Sequence, residues 1–90
     1  MDHIISVKIL FFAQAREQTG QSEGSITIPQ NVINAREILN NILDTYPKLR
    51  PLEHCVILTV NHVYMDLTSN VPVSLAENDE IGVIPPISSG

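Results

Sequence analysis

The amino-acid sequence predicts an α+β fold in which one main helix crosses a mixed sheet of four to five strands. Three observations predict it: apolar residues alternate along an N-terminal segment, one apolar stripe at helical spacing covers residues 35–46, and short apolar runs follow it. The sequence contains no second long helix that could receive the stripe, so the helix must lie on the sheet. A chain of 90 residues forms one small domain.

The first two strands are predicted to form a hairpin. Residues 4–12 alternate so that every odd-numbered side chain from residue 5 to residue 11 is apolar, while the opposite face mixes polar groups with Leu10 and Phe12. Residues 13–19 fit a turn or short helix, and Ser25–Ile28 fits a second strand. The short connection favours antiparallel pairing of the two strands.

The main helix carries signals at both ends. Asn34 is a good N-cap, and Glu37 stands three residues later, as in a capping box. Pro47 ends the helix at Tyr46 because the residue before a proline disfavours the helical conformation. The apolar stripe consists of Ala35, Ile38, Leu39, Ile42, Leu43 and Tyr46.

The second half of the chain predicts shorter elements. They are a buried strand at Cys55–Val60 with Cys55 as a small core residue, a turn at Asn61 and His62, a return strand at Val63–Leu67, an edge segment at Val71–Leu75, a turn at Ala76–Asp79 and a last strand at Glu80–Ile84. The order β-β-α-β-(β)-β matches a β-grasp, or ubiquitin-like, roll. We therefore expect a β-grasp domain over residues 1–84 and an extended tail over residues 85–90.

The distribution of charge restricts the class of partner. The net charge is −5, and residues 51–90 contain five acidic residues without any lysine or arginine. Such a surface repels phosphate backbones and attracts a basic protein, so we expect no nucleic-acid partner. The apolar runs are too short to span a membrane. The single cysteine, Cys55, cannot form an internal disulfide, which fits the reducing cytosol.

The sequence predicts neither a metal site nor an internal catalytic site. His3, His54 and His62 are scattered without the spacing of metal ligands. His54 and Cys55 are adjacent in a predicted strand, so they would point to opposite faces and could not act as a base and its nucleophile. The four glycines do not cluster into a phosphate-binding loop.

The C-terminal tail is the strongest functional candidate. Pro85 and Pro86 favour a stiff, extended conformation, and Ile87, Ser88, Ser89 and Gly90 follow. A terminal glycine has no side chain to shield its carboxylate. The tail could therefore enter a narrow cleft and present that carboxylate to another protein's active site. A frayed terminus is the alternative interpretation.

Several segments together resemble the small-subunit family of molybdopterin synthase. They are Phe11-Phe12-Ala13-Gln14-Ala15-Arg16-Glu17, Val60-Asn61, Asn78-Asp79-Glu80-Ile81 and Pro85-Pro86-Ile87-Ser88. The resemblance implies a β-grasp sulfur carrier that is not an enzyme on its own. In that family an adenylating enzyme of the ubiquitin-activating type consumes ATP to activate the terminal glycine, here Gly90, which then becomes a thiocarboxylate. The tail delivers the sulfur in the large subunit to cyclic pyranopterin monophosphate, forming the molybdopterin dithiolene.

The resemblance also implies the partners and leaves alternatives open. It implies a heterotetramer with the large catalytic subunit and no cofactor bound to this chain. Ser89 stands where the family has glycine, and Asn78 stands where it usually has glycine, although asparagine tolerates a left-handed turn. The alternatives are a sulfur carrier for thiamine synthesis or for tRNA thiolation with protein tagging, and an inert ubiquitin-like interaction domain, which Ser89 favours.

Three outward side chains predict a docking surface for the large subunit. Leu10, Phe12 and Ile84 are apolar at positions where solvent favours polar groups. We expect them to form a hydrophobic patch rimmed by the acidic residues Glu77, Asp79 and Glu80. The alternative is that a loop covers the three apolar side chains.

Overall fold

The computed structural model describes residues 4–29 and 34–86. Its elements follow in the order β1 (Ile4–Phe11), α1 (Ala13–Thr19), β2 (Glu23–Pro29), α2 (Ala35–Thr45), a 3-10 helix (Pro47–Leu52), β3 (Ile57–Val60), β4 (Val63–Tyr64) and β5 (Glu80–Ile84). None of the helices within these described residues is long and apolar enough to cross a membrane.

The five strands form one mixed sheet in the order β2-β1-β5-β3-β4. The first and last strands of the chain, β1 and β5, pair in parallel at its centre, and the other pairs are antiparallel. A last strand inserted between the first strand and β3 places the start of the tail in the middle of the sheet. The predicted fold class, a mixed sheet with one main helix, is confirmed.

One hydrophobic core joins α2 to one face of the sheet. The capping box at Asn34 and Glu37 is present, and Asn34 Oδ1 accepts from the Glu37 N–H at 2.9 Å. The rings of Phe11 and Tyr46 meet edge to face with centroids 4.9 Å apart. The buried side chains include the odd-numbered residues of β1 and five of the six residues of the helical stripe: Ile5, Val7, Ile9, Phe11, Ala35, Ile38, Leu39, Ile42 and Leu43. The sixth stripe residue, Tyr46, is half-buried.

The segment after α2 differs from the prediction. The chain continues into the 3-10 helix, which buries Leu49 and Leu52, and β3 begins only at Ile57. The interpretation of Cys55 as a core residue is wrong, because Cys55 lies exposed in the turn before β3. Val56, the next residue, is buried there instead. The Cys55 thiol donates to the Leu52 carbonyl at 3.4 Å.

The predicted return strand is shorter than expected. β4 contains only Val63 and Tyr64, because the chain turns at Asp66. The Thr68 hydroxyl and the Thr68 N–H donate to Asp66 Oδ1 at 2.6 and 2.9 Å, and these bonds hold the pKa of Asp66 below its usual value. Such local bonds compete with the strand ladder. In the predicted edge segment, only Val73 forms an isolated bridge.

Candidate docking face and tail root

The face of the sheet opposite α2 carries three rows of side chains that run across the strands. The row nearest the tail contains Phe12, Ile84 and Ile57. Ile57 pairs with Ile84, and the Phe12 N–H donates to the Val83 carbonyl at 3.2 Å. Phe12 and Ile57 are 44% and 41% exposed, and no described loop covers them. The root of the tail is therefore flanked by an exposed apolar side chain on each side.

The second row contains a gap. Leu10 pairs with Gly82, Gly82 with Thr59, and Thr59 with Tyr64, so four strands contribute one residue each. A Cβ atom on Gly82 would lie 2.5 Å from Thr59 Oγ1 and 3.4 Å from the Phe12 ring. The missing side chain leaves a hollow of about 150 Å³, lined by Leu10, Phe12, Thr59, His62, Tyr64, Glu80, Gly82 and Ile84.

The third row is polar and closes the far end of the hollow. Lys8 pairs with Glu80, and the Glu80 N–H donates to Asn61 Oδ1 at 3.0 Å. Lys8 itself pairs with Glu23 at 3.4 Å. The Glu80 carboxylate makes no hydrogen bond or ion pair with the described residues. Glu80, a half-buried residue whose carboxylate has no partner among the described residues, therefore lies beside the hollow.

The structure brings together four of the six residues that were predicted to contact the partner. Leu10, Phe12, Ile84 and Glu80 all line the hollow. The other two, Glu77 and Asp79, are used in the turn that precedes β5. The Glu77 carboxylate accepts from the Ser6 N–H at 2.7 Å, and the Asp79 carboxylate accepts from the Ala76 N–H at 2.8 Å. Their contact with a partner stays a prediction.

Between Glu77 and Asp79, Asn78 adopts the left-handed conformation at φ 70°. Its N–H donates to the Ser6 carbonyl at 2.8 Å, which holds the turn against β1. Asparagine is among the few residues that take this conformation readily. Asn78, at the position where the resemblance implies a glycine, is therefore compatible with the turn.

Four members of this face are not indicated by the sequence pattern: Ile57, Thr59, Tyr64 and Gly82. The apolar run at Cys55–Val60 predicts a buried strand and does not distinguish its two faces. The alternation of Ile57 and Thr59 with the buried Leu58 places the first two on the outer face. Gly82 pairs with both Leu10 and Thr59, so its place in the hollow depends on strand order.

The tail begins at the end of the central strand. Pro85 is buried and Pro86 is exposed. The remaining tail residues predicted to act, Ile87, Ser88, Ser89 and Gly90, lie outside the described residues. Their roles, and the domain boundary after residue 84, stay predictions.

The side chains considered for internal chemistry are dispersed. His54 and Cys55 are both exposed in the turn before β3, and His62 lies in the turn between β3 and β4. Within residues 4–29 and 34–86, no three histidine, cysteine or acidic side chains come together as metal ligands would. His3 lies outside the described residues.

Comparison with known proteins gives a consistent result. The ThiS family model matches residues 9–90. The molybdopterin synthase sulfur carrier subunit of Aedes aegypti is 36% identical over 93 residues, which cover 99% of this chain and 93% of that protein.

Two solved structures share the fold. Small archaeal modifier protein 1 from Methanosarcina acetivorans has a TM-score of 0.71 at 26% identity, covering 98% of this chain and 99% of that one. The complex of subunits 1 and 2 of the molybdopterin-converting factor from Helicobacter pylori contains a chain with a TM-score of 0.62 at 21% identity, covering 96% of this chain and 100% of that one. These similarities confirm the β-grasp fold.

Proposed function

The chain belongs to the ThiS family, and from this premise we propose that it is the sulfur carrier subunit of a molybdopterin synthase. Its C-terminal Gly90 becomes a thiocarboxylate that donates sulfur to cyclic pyranopterin monophosphate, forming the dithiolene of molybdopterin. The observation that carries the proposal is the sequence similarity to molybdopterin synthase sulfur carrier subunits over almost the whole chain. The chain is not an enzyme on its own.

The chemistry needs an activation step at Gly90. A free carboxylate is a poor electrophile, so an adenylating enzyme of the ubiquitin-activating type uses ATP to form an acyl-adenylate with release of pyrophosphate. A sulfur donor then displaces AMP and leaves the thiocarboxylate, which is a good sulfur nucleophile. In this proposal ATP is bound and consumed by the activating enzyme, this chain holds no cofactor, and both steps occur in the cytosol.

The exposed apolar residues on the sheet face opposite α2 support a large catalytic subunit as the partner. The row formed by Phe12, Ile84 and Ile57 lies directly at the root of the tail, so a protein that covers it receives the tail at the same time. The buried Pro85 fixes where the tail leaves the sheet. Pro86 and the four residues that follow it then reach from that point into the partner's active site, and the proposed assembly is a heterotetramer.

The other interpretations are less well supported. An archaeal modifier protein shares the fold at lower identity than the molybdopterin synthase relatives. A carrier for thiamine synthesis or tRNA thiolation would need the same terminal chemistry. An inert interaction domain would need no free terminal carboxylate. Sulfur loading separates the inert domain from all carriers, and sulfur delivery separates the carriers from one another.

The loading step is tested with three chains: the natural one, a chain lacking Gly90, and a chain with one residue added after Gly90. Each is incubated with ATP, a sulfur donor and the adenylating enzyme, and its intact mass is measured. We expect only the natural chain to exchange one oxygen for sulfur, because only its carboxylate has the correct reach.

Thermal unfolding of the three chains is the control, and we expect equal melting temperatures because the described core ends at Pro85. Sulfur loading of the chain that lacks Gly90 would contradict the proposed mechanism.

A further inference from the structure

The hollow above Gly82 is a concave site on the face of the sheet opposite α2. Its floor is the Gly82 backbone, and its walls are contributed by the side chains of Leu10, Phe12, Thr59 and Ile84. The volume of about 150 Å³ is similar to that of an apolar protein cavity of ~150 Å³ that holds benzene. One aromatic or branched aliphatic side chain would therefore fill it.

The charge beside the hollow restricts what accompanies that side chain. The Glu80 carboxylate lines one end and has no partner among the described residues. Lys8, which pairs with Glu80 in the sheet, is already bound to Glu23. Covering an unpaired carboxylate costs free energy unless the covering surface supplies a cation or a hydrogen-bond donor.

We propose that the hollow receives one apolar side chain from the large subunit, with a basic residue of that subunit beside it facing Glu80. This inference rests on the proposed function, because it takes the large subunit as the occupant. Two observations favour that occupant. The hollow adjoins the row of Phe12, Ile84 and Ile57 at the tail root, and residues 51–90 contain no lysine or arginine that could pair with Glu80.

A buried apolar anchor surrounded by a partly polar rim is the usual arrangement of a strong contact in a protein interface. Gly82 is then a specificity-determining residue. Any side chain at this position would occupy the space that the partner's anchor needs.

The steric test uses a double variant, because Gly82→Ala alone would collide with the Thr59 hydroxyl. Thr59→Ala removes that hydroxyl, and the Thr59 Cβ would lie 3.8 Å from the new methyl group, an ordinary contact distance. Affinity for the cognate large subunit is measured by calorimetry for Thr59→Ala and for Thr59→Ala with Gly82→Ala. We expect the methyl group that Gly82→Ala adds to weaken binding about tenfold or more relative to Thr59→Ala alone.

The charge is tested with Glu80→Gln, which keeps the shape of the side chain. We expect affinity to fall about two- to fivefold at low salt and the difference to shrink at high salt.

In the unmodified chain, amide resonances of Leu10, Thr59 and Gly82 are expected to shift or broaden when the large subunit is added. Those of Ser25 and Thr27, on β2 at the other side of the face, are not.

Equal affinity of the double variant and its Thr59→Ala background would overturn the hollow as a binding site. Unchanged resonances at Gly82 would do the same without any variant that could disturb folding. Glu80→Gln binding as tightly as the unmodified chain at low salt would overturn the basic neighbour. Failure of the unmodified chain to bind the large subunit would overturn the proposed function itself, so the two failures are distinguishable.

Discussion

Ser89 stands where the resemblance to the small-subunit family of molybdopterin synthase implies a glycine. A serine adds width at Cβ and disfavours positive φ by ~1–2 kcal/mol. We expect Ser89→Gly to speed adenylation or sulfur release by roughly five- to thirtyfold, since each 1.36 kcal/mol changes a rate about tenfold. Steady-state loading rates of the two chains measure this effect. Equal rates would mean that the partner enzymes accept serine without penalty.

At single residues, the sequence predicted the turns at Asn61, His62 and Asn78 correctly but the burial of Cys55 wrongly. Asn61, His62 and Asn78 all adopt positive φ in turns that were expected at those positions. The apolar run after Cys55 predicts a core position for that residue, yet its actual position depends on where the preceding 3-10 helix ends. Turn conformation is a local property of the residue, whereas burial depends on segments that are distant in the chain.

Helix α2 depends on its capping box as well as on its apolar stripe. Asn34→Ala removes the acceptor of the Glu37 N–H, and we expect it to lower the free energy of unfolding by ~1 kcal/mol. For a domain of this size that corresponds to a fall in melting temperature of about 4–8 °C.

The matched control is Asn40→Ala, because Asn40 is exposed on the same helix and alanine is the better helix former. It should unfold at the same temperature as the natural chain or slightly higher. An equal loss of stability in both variants would contradict the role of the cap.

Elements with a long, regular spacing of apolar residues were predictable, and elements whose limits depend on tertiary contacts were not. β1 and α2 carry long apolar patterns, and both formed as expected. β4 ended after Tyr64 because Asp66 and Thr68 bond to each other instead of extending the ladder. The hollow on the face opposite α2 was not predictable from the sequence, because Gly82 lies between Leu10 and Thr59 only when β5 is placed between β1 and β3.

On the face of the sheet opposite α2, exposed apolar side chains lie at both ends of β1. Phe12 lies beside the tail root, whereas Ile4 lies at the opposite end of β1 with 68% exposure. We expect Phe12→Asp to weaken binding to the large subunit about tenfold to hundredfold, because it removes apolar surface that the proposed complex would bury. Ile4→Asp should leave the affinity unchanged.

Stability should change little in either variant. Phe12 is the N-cap of α1 and makes no side-chain capping bond, and aspartate is a favourable N-cap residue. A large drop in melting temperature for Phe12→Asp with unchanged affinity would place Phe12 in the core instead of the interface.

In the proposed function, the Gly90 thiocarboxylate donates its sulfur to form molybdopterin. The most direct measurement follows the intact mass of the sulfur-loaded chain after addition of the large subunit, cyclic pyranopterin monophosphate, or both. We expect the thiocarboxylate to revert to the carboxylate, with formation of molybdopterin, only when both are present. A loaded chain that keeps its sulfur in the presence of both would overturn the proposed function.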